Sequence, residues 1–345
     1  MQYNRLGNTG LIVSRLAFGA MTFGSAAEGD FRSVYKVEQT LADHLVGTCL
    51  DAGINFFDTA DAYAGGDSEI ILGAALGSRR KEVVISTKAG FRSGEALIDQ
   101  GLSRHHLMAS IEGSLKRLGT DYIDLFSVHR IDPHTPLEET IEALTDIVRQ
   151  GKARYTGFSN WPAWMAAKAI GLQQGRGWPR FQAAQLFYSL VGRDVERELV
   201  PLLEDCQVGM VVWSPLAGGF LSGKYTRDNP GGGGGRLSGF DIIPFDRDKG
   251  YQLIDVLREI AEAHLTTVAA VSLAWLLTKR CVASILVGAS KLAQLHENLK
   301  AASLVLSAEE LARLNQLTEI PKAYPEWMIP IMSDARVTGA LAGEG

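Results

Sequence analysis

The sequence predicts an α/β chain closed into a (β/α)8 barrel of the TIM-barrel class, with an N-terminal hairpin and a C-terminal extension. Three observations predict it. Strand-like runs rich in β-branched and aromatic residues alternate with longer segments of helical spacing along most of the chain. Eight such strand-like runs occur, and this alternation means parallel strands joined by right-handed crossovers. The length, 345 residues, suits eight units in one barrel with insertions. An open doubly wound sheet would carry a glycine-rich fingerprint after its first strand. Here that strand runs from Phe18 through Gly19 and Met21 to Gly24, without the G-x-G-x-x-G spacing.

The elements follow in order. Residues 3–6 and 11–14 read as a hairpin about a Gly7-Asn8-Thr9-Gly10 turn. The eight strands are expected at 16–23, 54–59, 83–88, 123–129, 154–159, 184–188, 209–214 and 284–288. Helical patterns cover 37–52, 105–118, 137–150 and 197–206, with two more at 251–263 and 268–278 before the last strand. The first of these places Leu41, Leu45, Thr48 and Ala52 on one face, as expected of a helix packed on a sheet. Ser307 and Glu310 spell a capping box for a late helix ending near Leu317. One domain over 1–345 is expected, with the barrel proper about 16–305. Residues 225–250 form a flexible loop containing the run 231–235 of five glycines, a candidate lid. Residues 318–345, with Tyr324, Trp327, Pro325 and Pro330, form a strap expected across the barrel mouth.

Composition narrows the function. With 46% apolar residues the chain can bury a large core, which excludes disorder, collagen-like repeats and a disulfide miniprotein. Its 34 basic and 39 acidic residues are well mixed, so no nucleic-acid footprint stands out. Cys49, Cys206 and Cys281 are odd in number and form no C-x-x-C pair, which suits reduced thiols in a cytosolic protein and no zinc site. The N-terminus has no signal-peptide build, and the most apolar stretch, 265–277, reads as a buried helix too short to cross a bilayer. A soluble cytoplasmic protein without membrane or nucleic-acid partners is expected. Nothing in the sequence fixes an oligomeric state.

In such a barrel the carboxyl ends of the strands converge on the active face. The second strand ends in Asp58 with Tyr63 just beyond, the third in Lys88, and the fourth in His129. A strand-end aspartate alone is more often a cap, and a lone histidine more often a satisfied core residue. Four titratable groups at matching positions on neighbouring strands point to chemistry. A tyrosine hydroxyl titrates near 10 in isolation. A neighbouring ammonium is expected to lower that value, and a carboxylate to keep the lysine charged and oriented. A neutral imidazole donates to a carbonyl oxygen as charge builds there. The set supplies a proton donor and an oxyanion aid without a nucleophile.

The motifs Phe57-Asp-Thr-Ala-Asp-Ala-Tyr63, Thr87-Lys88, His129 and Gly157-Phe-Ser-Asn160, in this order and placement, resemble those of the aldo-keto reductase superfamily. The resemblance runs from the hairpin to about residue 330. It implies NADPH-dependent reduction of an aldehyde or ketone, with Tyr63 as general acid, Lys88 its tuning partner, Asp58 the lysine's carboxylate and His129 the carbonyl-orienting residue. It places Ser159, Asn160 and Gln185 on the nicotinamide carboxamide and Trp213 on its ring, where a tyrosine or phenylalanine is usual. Ser214, Leu216, Gly218, Leu221 and Lys224 would embrace the pyrophosphate. Gly288, Ser290 and Lys291 would meet the 2′-phosphate, with Gln294, Glu297 and Asn298 toward the adenine. Relatives often have a cation where Ser290 stands, so a single Lys291 implies that NADH is tolerated beside NADPH.

Met21, Phe91, Trp161 and Trp213, with Phe240 or Trp327, would line a roomy aromatic entrance for a small-molecule carbonyl. The chain looks like the long bacterial members, some of which reduce bulky ring ketones such as oxidised mycotoxins. The competing class is a nicotinamide-binding regulatory subunit of a channel, with little turnover; the complete set of four argues for chemistry. Two decoys fall away. Gly218 to Lys224 almost spells a P-loop, but Tyr225 replaces its Ser or Thr and a breaker-rich loop follows instead of a helix. His105 and His106 lie in a helical pattern, not at a strand end, so no metal site is expected.

Overall fold

The computed structural model describes residues 1–25, 34–230, 232, 236–239, 241–332 and 334–341. Eight parallel strands close the barrel: β3 (Leu16–Gly19), β6 (Phe56–Asp58), β7 (Val84–Ala89), β8 (Ile123–Val128), β9 (Ala153–Ser159), β10 (Phe181–Phe187), β11 (Gly209–Trp213) and β12 (Val282–Val287), with β12 pairing back to β3. Two antiparallel pairs flank them, β1 (Tyr3–Arg5) with β2 (Ile12–Ser14) and β4 (Gly24–Ser25) with β5 (Lys36–Val37). The helices around the barrel are α1 (Gln39–Asp51), α2 (Asp67–Leu76), α3 (Arg104–Leu118), α4 (Leu137–Arg149), α5 (Ala163–Gly175), α6 (Leu199–Asp205), α7 (Arg247–Ala263), α8 (Val268–Leu277), α9 (Leu292–Leu299) and α10 (Ala308–Leu317). Two short helices follow, α11 (Ile329–Met332) and α12 (Ala335–Ala340).

All eight expected strands form. The first is shorter than expected, because after Gly19 the chain turns into a 3-10 segment, Ala20–Thr22. The buried face of α1 is Ala42, Leu45, Val46 and Cys49, so the expected stripe is rotated; Thr48 instead returns its hydroxyl to His44 O. Helix α8 is buried along its whole length apart from Leu277, as its composition predicted. The capping box is present, with Ser307 accepting from Glu310 N and Glu310 from Ser307 N. The loop expected over 225–250 ends earlier, since Asp246 caps α7 and the helix starts at Arg247. Within the glycine run, 231 and 233–235 lie outside the described residues, as does Phe240. The C-terminal strap is tied by Arg197 to Glu326 at 3.2 Å, beside the loop that follows β10.

Two cores fix where the site sits. The inner one fills the barrel with Val13, Ala17, Phe56, Val84, Leu125 and Val211 among others; the outer one lies between strands and helices. The hairpin belongs to the inner core through Leu6 and Val13, and so plugs the amino end of the barrel. Because side chains alternate along a strand, Phe56 in the inner core turns Asp58 inward, and Val84 does the same for Ser86 and Lys88. Leu125 similarly sets Ser127 and then His129; Ala183 sets Gln185; Val211 sets Trp213. Parity delivers the polar residues to the top of the barrel interior. Gly157 belongs to this inward layer, where a Cβ would meet Ala183 O at 2.6 Å, so a side chain there would force the barrel apart.

Candidate active site

Strand β7 holds Lys88 completely buried, and its Nζ donates to Asp58 Oδ1 at 2.6 Å and to Thr59 O at 2.6 Å. The Tyr63 hydroxyl lies 3.5 Å from the same Nζ. Thr59 and Asp61 extend the parallel ladder past β6 by donating to Ser86 O and Lys88 O, which sets Tyr63 above the lysine. Burial by itself would lower the lysine's pKa, but Asp58 and Tyr63 together push it above its ordinary value, so it stays an ammonium. His129 stands edge-on to Tyr63 with ring centres 5.6 Å apart. Burial, with Lys88 and Arg130 nearby, holds its pKa well below the usual value, so the imidazole is neutral near pH 7.

The structure corrects one expectation about this set. The tyrosine was expected to be acidified by Lys88, yet its pKa is raised, because burial and the Asp58 carboxylate outweigh the lysine. At neutral pH the phenol is therefore firmly protonated and able to give a proton.

The second Asp58 oxygen accepts from Gln185 Nε2 at 2.9 Å, across the barrel. Ser159 is buried and donates to Gln185 O, while Asn160 donates to Ser159 Oγ at 2.9 Å. Trp213 Nε1 donates to Asn160 Oδ1 at 2.9 Å, which satisfies the indole that stands where a phenyl or phenol ring was the usual expectation. Phe91 packs on His129 at 4.7 Å, and its carbonyl takes a hydrogen bond from His106 Nε2 at 3.2 Å. His106 is thus a satisfied structural histidine. Met21 is half-buried in the turn after β3. Trp161 is not at the entrance: two residues past the end of β9, beyond the positive-φ turn at Asn160, it is buried, stacks on Phe158, and donates to Arg130 O. Trp327 lies half-exposed on the C-terminal strap.

After β11 the chain bends back on itself with Ser214, Ala217, Gly218, Gly219 and Gly223 all at positive φ. Ser214 Oγ accepts from Gly218 N at 2.9 Å, Leu216 is half-buried, and Lys224 is exposed. Leu221 is a correction: its side chain is buried in the outer core and its N–H is spent on Leu216 O, so it is not presented to a ligand. Tyr225 is buried against Phe220 rather than opening a P-loop helix. After β12, Gly288 is exposed and a Cβ there would come no nearer than 3.7 Å to Gly19 O. Lys291 is exposed at the N-terminus of α9, and Gln294 Oε1 accepts from Ser290 N and Oγ. Asn298 is buried, and Glu297 is engaged by Lys300 at 2.8 Å. Two exposed lysines after β11 and β12, two amides and a neutral imidazole are donor groups that suit a phosphorylated dinucleotide carrying a carboxamide.

Sequence reasoning missed Arg236. It is half-buried close enough to Tyr63 and Tyr225 for their charges to interact, and burial lowers its pKa. A lone arginine after a glycine run has no periodicity to mark it. It also missed the cross-barrel partner of Gln185, since 127 residues separate Gln185 from Asp58.

Behind Tyr63, Asp61 is buried beside Glu69, and this pushes its carboxyl up to about 7, with Arg117 countering. The unfolded chain loses that proton near pH 4. Between about pH 4 and 7 the folded state holds a proton the unfolded chain has released, so stability falls as pH rises through this window. Asp61→Asn is expected to flatten that dependence and to raise stability at pH 8 by up to about 4 kcal/mol, about 1.4 kcal/mol for each unit of the window. Urea unfolding at pH 5 and 8 measures it; an unchanged pH slope would refute the account.

The family model described as "Aldo/keto reductase family" matches residues 15–319. The chain is 37% identical over 313 residues to a "Probable voltage-gated potassium channel subunit beta" of rice, covering 88% of this chain and 92% of that one. A protein of the same name from Arabidopsis thaliana is 36% identical over 340 residues, covering 94% and 99%. The "Uncharacterized oxidoreductase YrpG" of Bacillus subtilis is 36% identical over 344 residues, again covering 94% and 99%.

Proposed function

This chain belongs to the aldo/keto reductase family, and on that premise we propose that it reduces an aldehyde or ketone to an alcohol with NADPH. The observation that carries the reading is the buried Lys88–Asp58 pair at 2.6 Å, with the Tyr63 hydroxyl at 3.5 Å from the same ammonium and a neutral His129 alongside. When bound, the dihydronicotinamide supplies the hydride that goes to the carbonyl carbon.

The chain's own residues handle the oxygen. His129 donates a hydrogen bond to the carbonyl oxygen and fixes its direction. Tyr63 gives its phenolic proton to the same oxygen as negative charge builds there. The resulting phenolate is held beside the Lys88 ammonium, and Asp58 keeps that ammonium charged and aimed. Phe91, packed on His129, offers an apolar wall, which suits aldehydes and bulky ring ketones such as oxidised mycotoxins. The partner is then a small-molecule carbonyl. Three free cysteines fit a cytoplasmic setting.

The test is loss of NADPH absorbance by the purified chain with a panel of aldehydes and ring ketones. Turnover above the cofactor-only rate supports the proposal. Tight NADPH binding without turnover on any member would favour a second reading, a regulatory subunit, which the names of the rice and Arabidopsis relatives suggest.

Lys291 is exposed and stands at the start of α9, where the helix dipole also favours an anion. Lys291→Ala is expected to weaken NADPH about tenfold and to leave NADH nearly unchanged, as loss of one charge-assisted hydrogen bond to the 2′-phosphate. Equal losses for both cofactors, measured by fluorescence titration, would remove Lys291 from that phosphate.

A further inference from the structure

We infer that Asp61 is a positioning residue for Tyr63: with Glu69 and Arg117 it wedges the turn that carries the tyrosine, and loss of its proton loosens that turn. The inference rests on Tyr63 as the proton donor of the reading above and adds a control over it.

The turn over 60–66 is thinly held from within. Tyr63 N donates to Ala60 O at 3.2 Å and Gly65 N to Ala62 O at 3.4 Å, and Ala64, Gly65 and Gly66 all take positive φ. Its supports come from outside. On one side Asp61 N is anchored on Lys88 O at 3.0 Å. On the other lies the Arg117 side chain: a Cβ on Gly66 would come within 2.7 Å of its Cδ, so the arginine stem rests directly against the backbone. Arg117 Nε is fixed in turn by Glu69 Oε2 at 2.6 Å, and the other Glu69 oxygen accepts from Thr87 Oγ1 at 2.5 Å. Thr87 precedes Lys88, so one stretch of β7 holds both the lysine and the wedge.

Asp61 is the exposed flank of this balance in energy, although it is only 5% exposed to water. Neither of its carboxyl oxygens has a hydrogen-bond partner among the described residues. From α2 it faces Glu69; from α3 it faces Arg117 and Ser110, with His106, which burial keeps neutral, 3.4 Å behind Ser110. From β7 it meets the Lys88 carbonyl. Two carboxyl groups thus face one cation, and Arg117 is spent on Glu69. Asp61 is stable there as the neutral acid, and burial beside Glu69 puts the loss of its proton at about pH 7. Once ionised, it is relieved by drawing Arg117 off Glu69 or by carrying residues 60–66 toward water. Either movement withdraws a support from the backbone two residues before Tyr63. The hydroxyl already stands 3.5 Å from Lys88 Nζ, and a misplacement of about 1 Å costs up to about 10²-fold in rate.

The test on the full-length chain is kcat for carbonyl reduction from pH 6 to 9, with NADPH binding beside it. Hydrogen exchange of residues 60–66, corrected for the intrinsic effect of pH, is followed over the same range. In the wild-type chain kcat is expected to fall about tenfold with a midpoint near pH 7 and then level off. NADPH affinity should stay constant while exchange of 60–66 quickens. Tyr63 keeps its proton across this range, so such a fall is not the tyrosine's own. Asp61→Asn keeps the shape of the neutral acid and should abolish both changes. Glu69→Gln removes the neighbouring charge and leaves Arg117 to Asp61, so the midpoint should move to lower pH. A wild-type kcat and exchange that ignore pH, a fall that survives in Asp61→Asn, or an unmoved midpoint in Glu69→Gln overturns the inference alone. A wild-type chain that binds NADPH and reduces no carbonyl overturns the proposed function instead, and exchange of 60–66 then still reads the turn.

Discussion

Tyr63→Phe is expected to lower kcat roughly 10²- to 10⁴-fold while NADPH binding stays within about threefold of the wild-type value. The change removes one oxygen and leaves the ring, which still meets His129 edge-on. What disappears is the proton donor. Burial and Asp58 raise the phenol above its ordinary value, so in the intact chain the proton is present throughout the neutral range. The sign of the pH dependence follows. The acid form of Tyr63 is the active form for reduction, and its pKa lies above the usual 10, so the tyrosine imposes no loss of rate as pH rises through 7 to 9. Steady-state kinetics over that range, beside a fluorescence titration of NADPH, measure both parts. Turnover near the wild-type rate in Tyr63→Phe would sink the assignment.

Lys88→Met is the second change with a large effect, and it acts on stability as well as rate. The lysine is fully buried, and it is the charged partner of Asp58 within the barrel. Methionine matches the stem but leaves a buried carboxylate with Gln185 as its remaining hydrogen-bond donor. Breaking a buried pair from one side costs about 3–5 kcal/mol. Urea unfolding at pH 7 is expected to show that loss. kcat should fall at least as far as in Tyr63→Phe, because the phenolate that forms during reduction loses its neighbouring cation. An unfolding midpoint equal to that of the wild-type chain would mean that the pair contributes nothing to the fold.

Most of the barrel was legible because its signals are local. The strand runs are β-branched, the breaks between them carry glycine and polar residues, and alternation of period two assigns each residue to a face. Boundaries slipped where a backbone bond outside the pattern intervened, as at the turn after Gly19. The stripe of α1 is rotated for a tertiary reason: Leu45 is buried as expected, but it packs together with Ala42, Val46 and Cys49, while Leu41, Thr48 and Ala52 are only half-buried. Trp161 was expected at the entrance with other aromatics, yet the turn at Asn160 carries it into the core against Phe158 and Phe181. Leu221 failed in the same way, as an apolar residue in a ligand-like segment that the outer core claims.

The sequence by itself determined the eight strands, the parity that points Asp58, Lys88, His129 and Gln185 inward, and the residue types from which a proton donor and its supports are assembled. Those depend on chain neighbours and on a two-residue period, which are written along the chain. Only the tertiary structure decided who holds whom: Gln185 on Asp58, Asn160 on Trp213, Phe91 on His129, and Arg236 near Tyr63. It also decided that Tyr63 is a weaker acid than an isolated tyrosine, because burial outweighs the nearby lysine. Such contacts arise when the barrel closes and brings distant strand ends to one mouth, and desolvation is a property of that closed mouth, not of any segment of sequence.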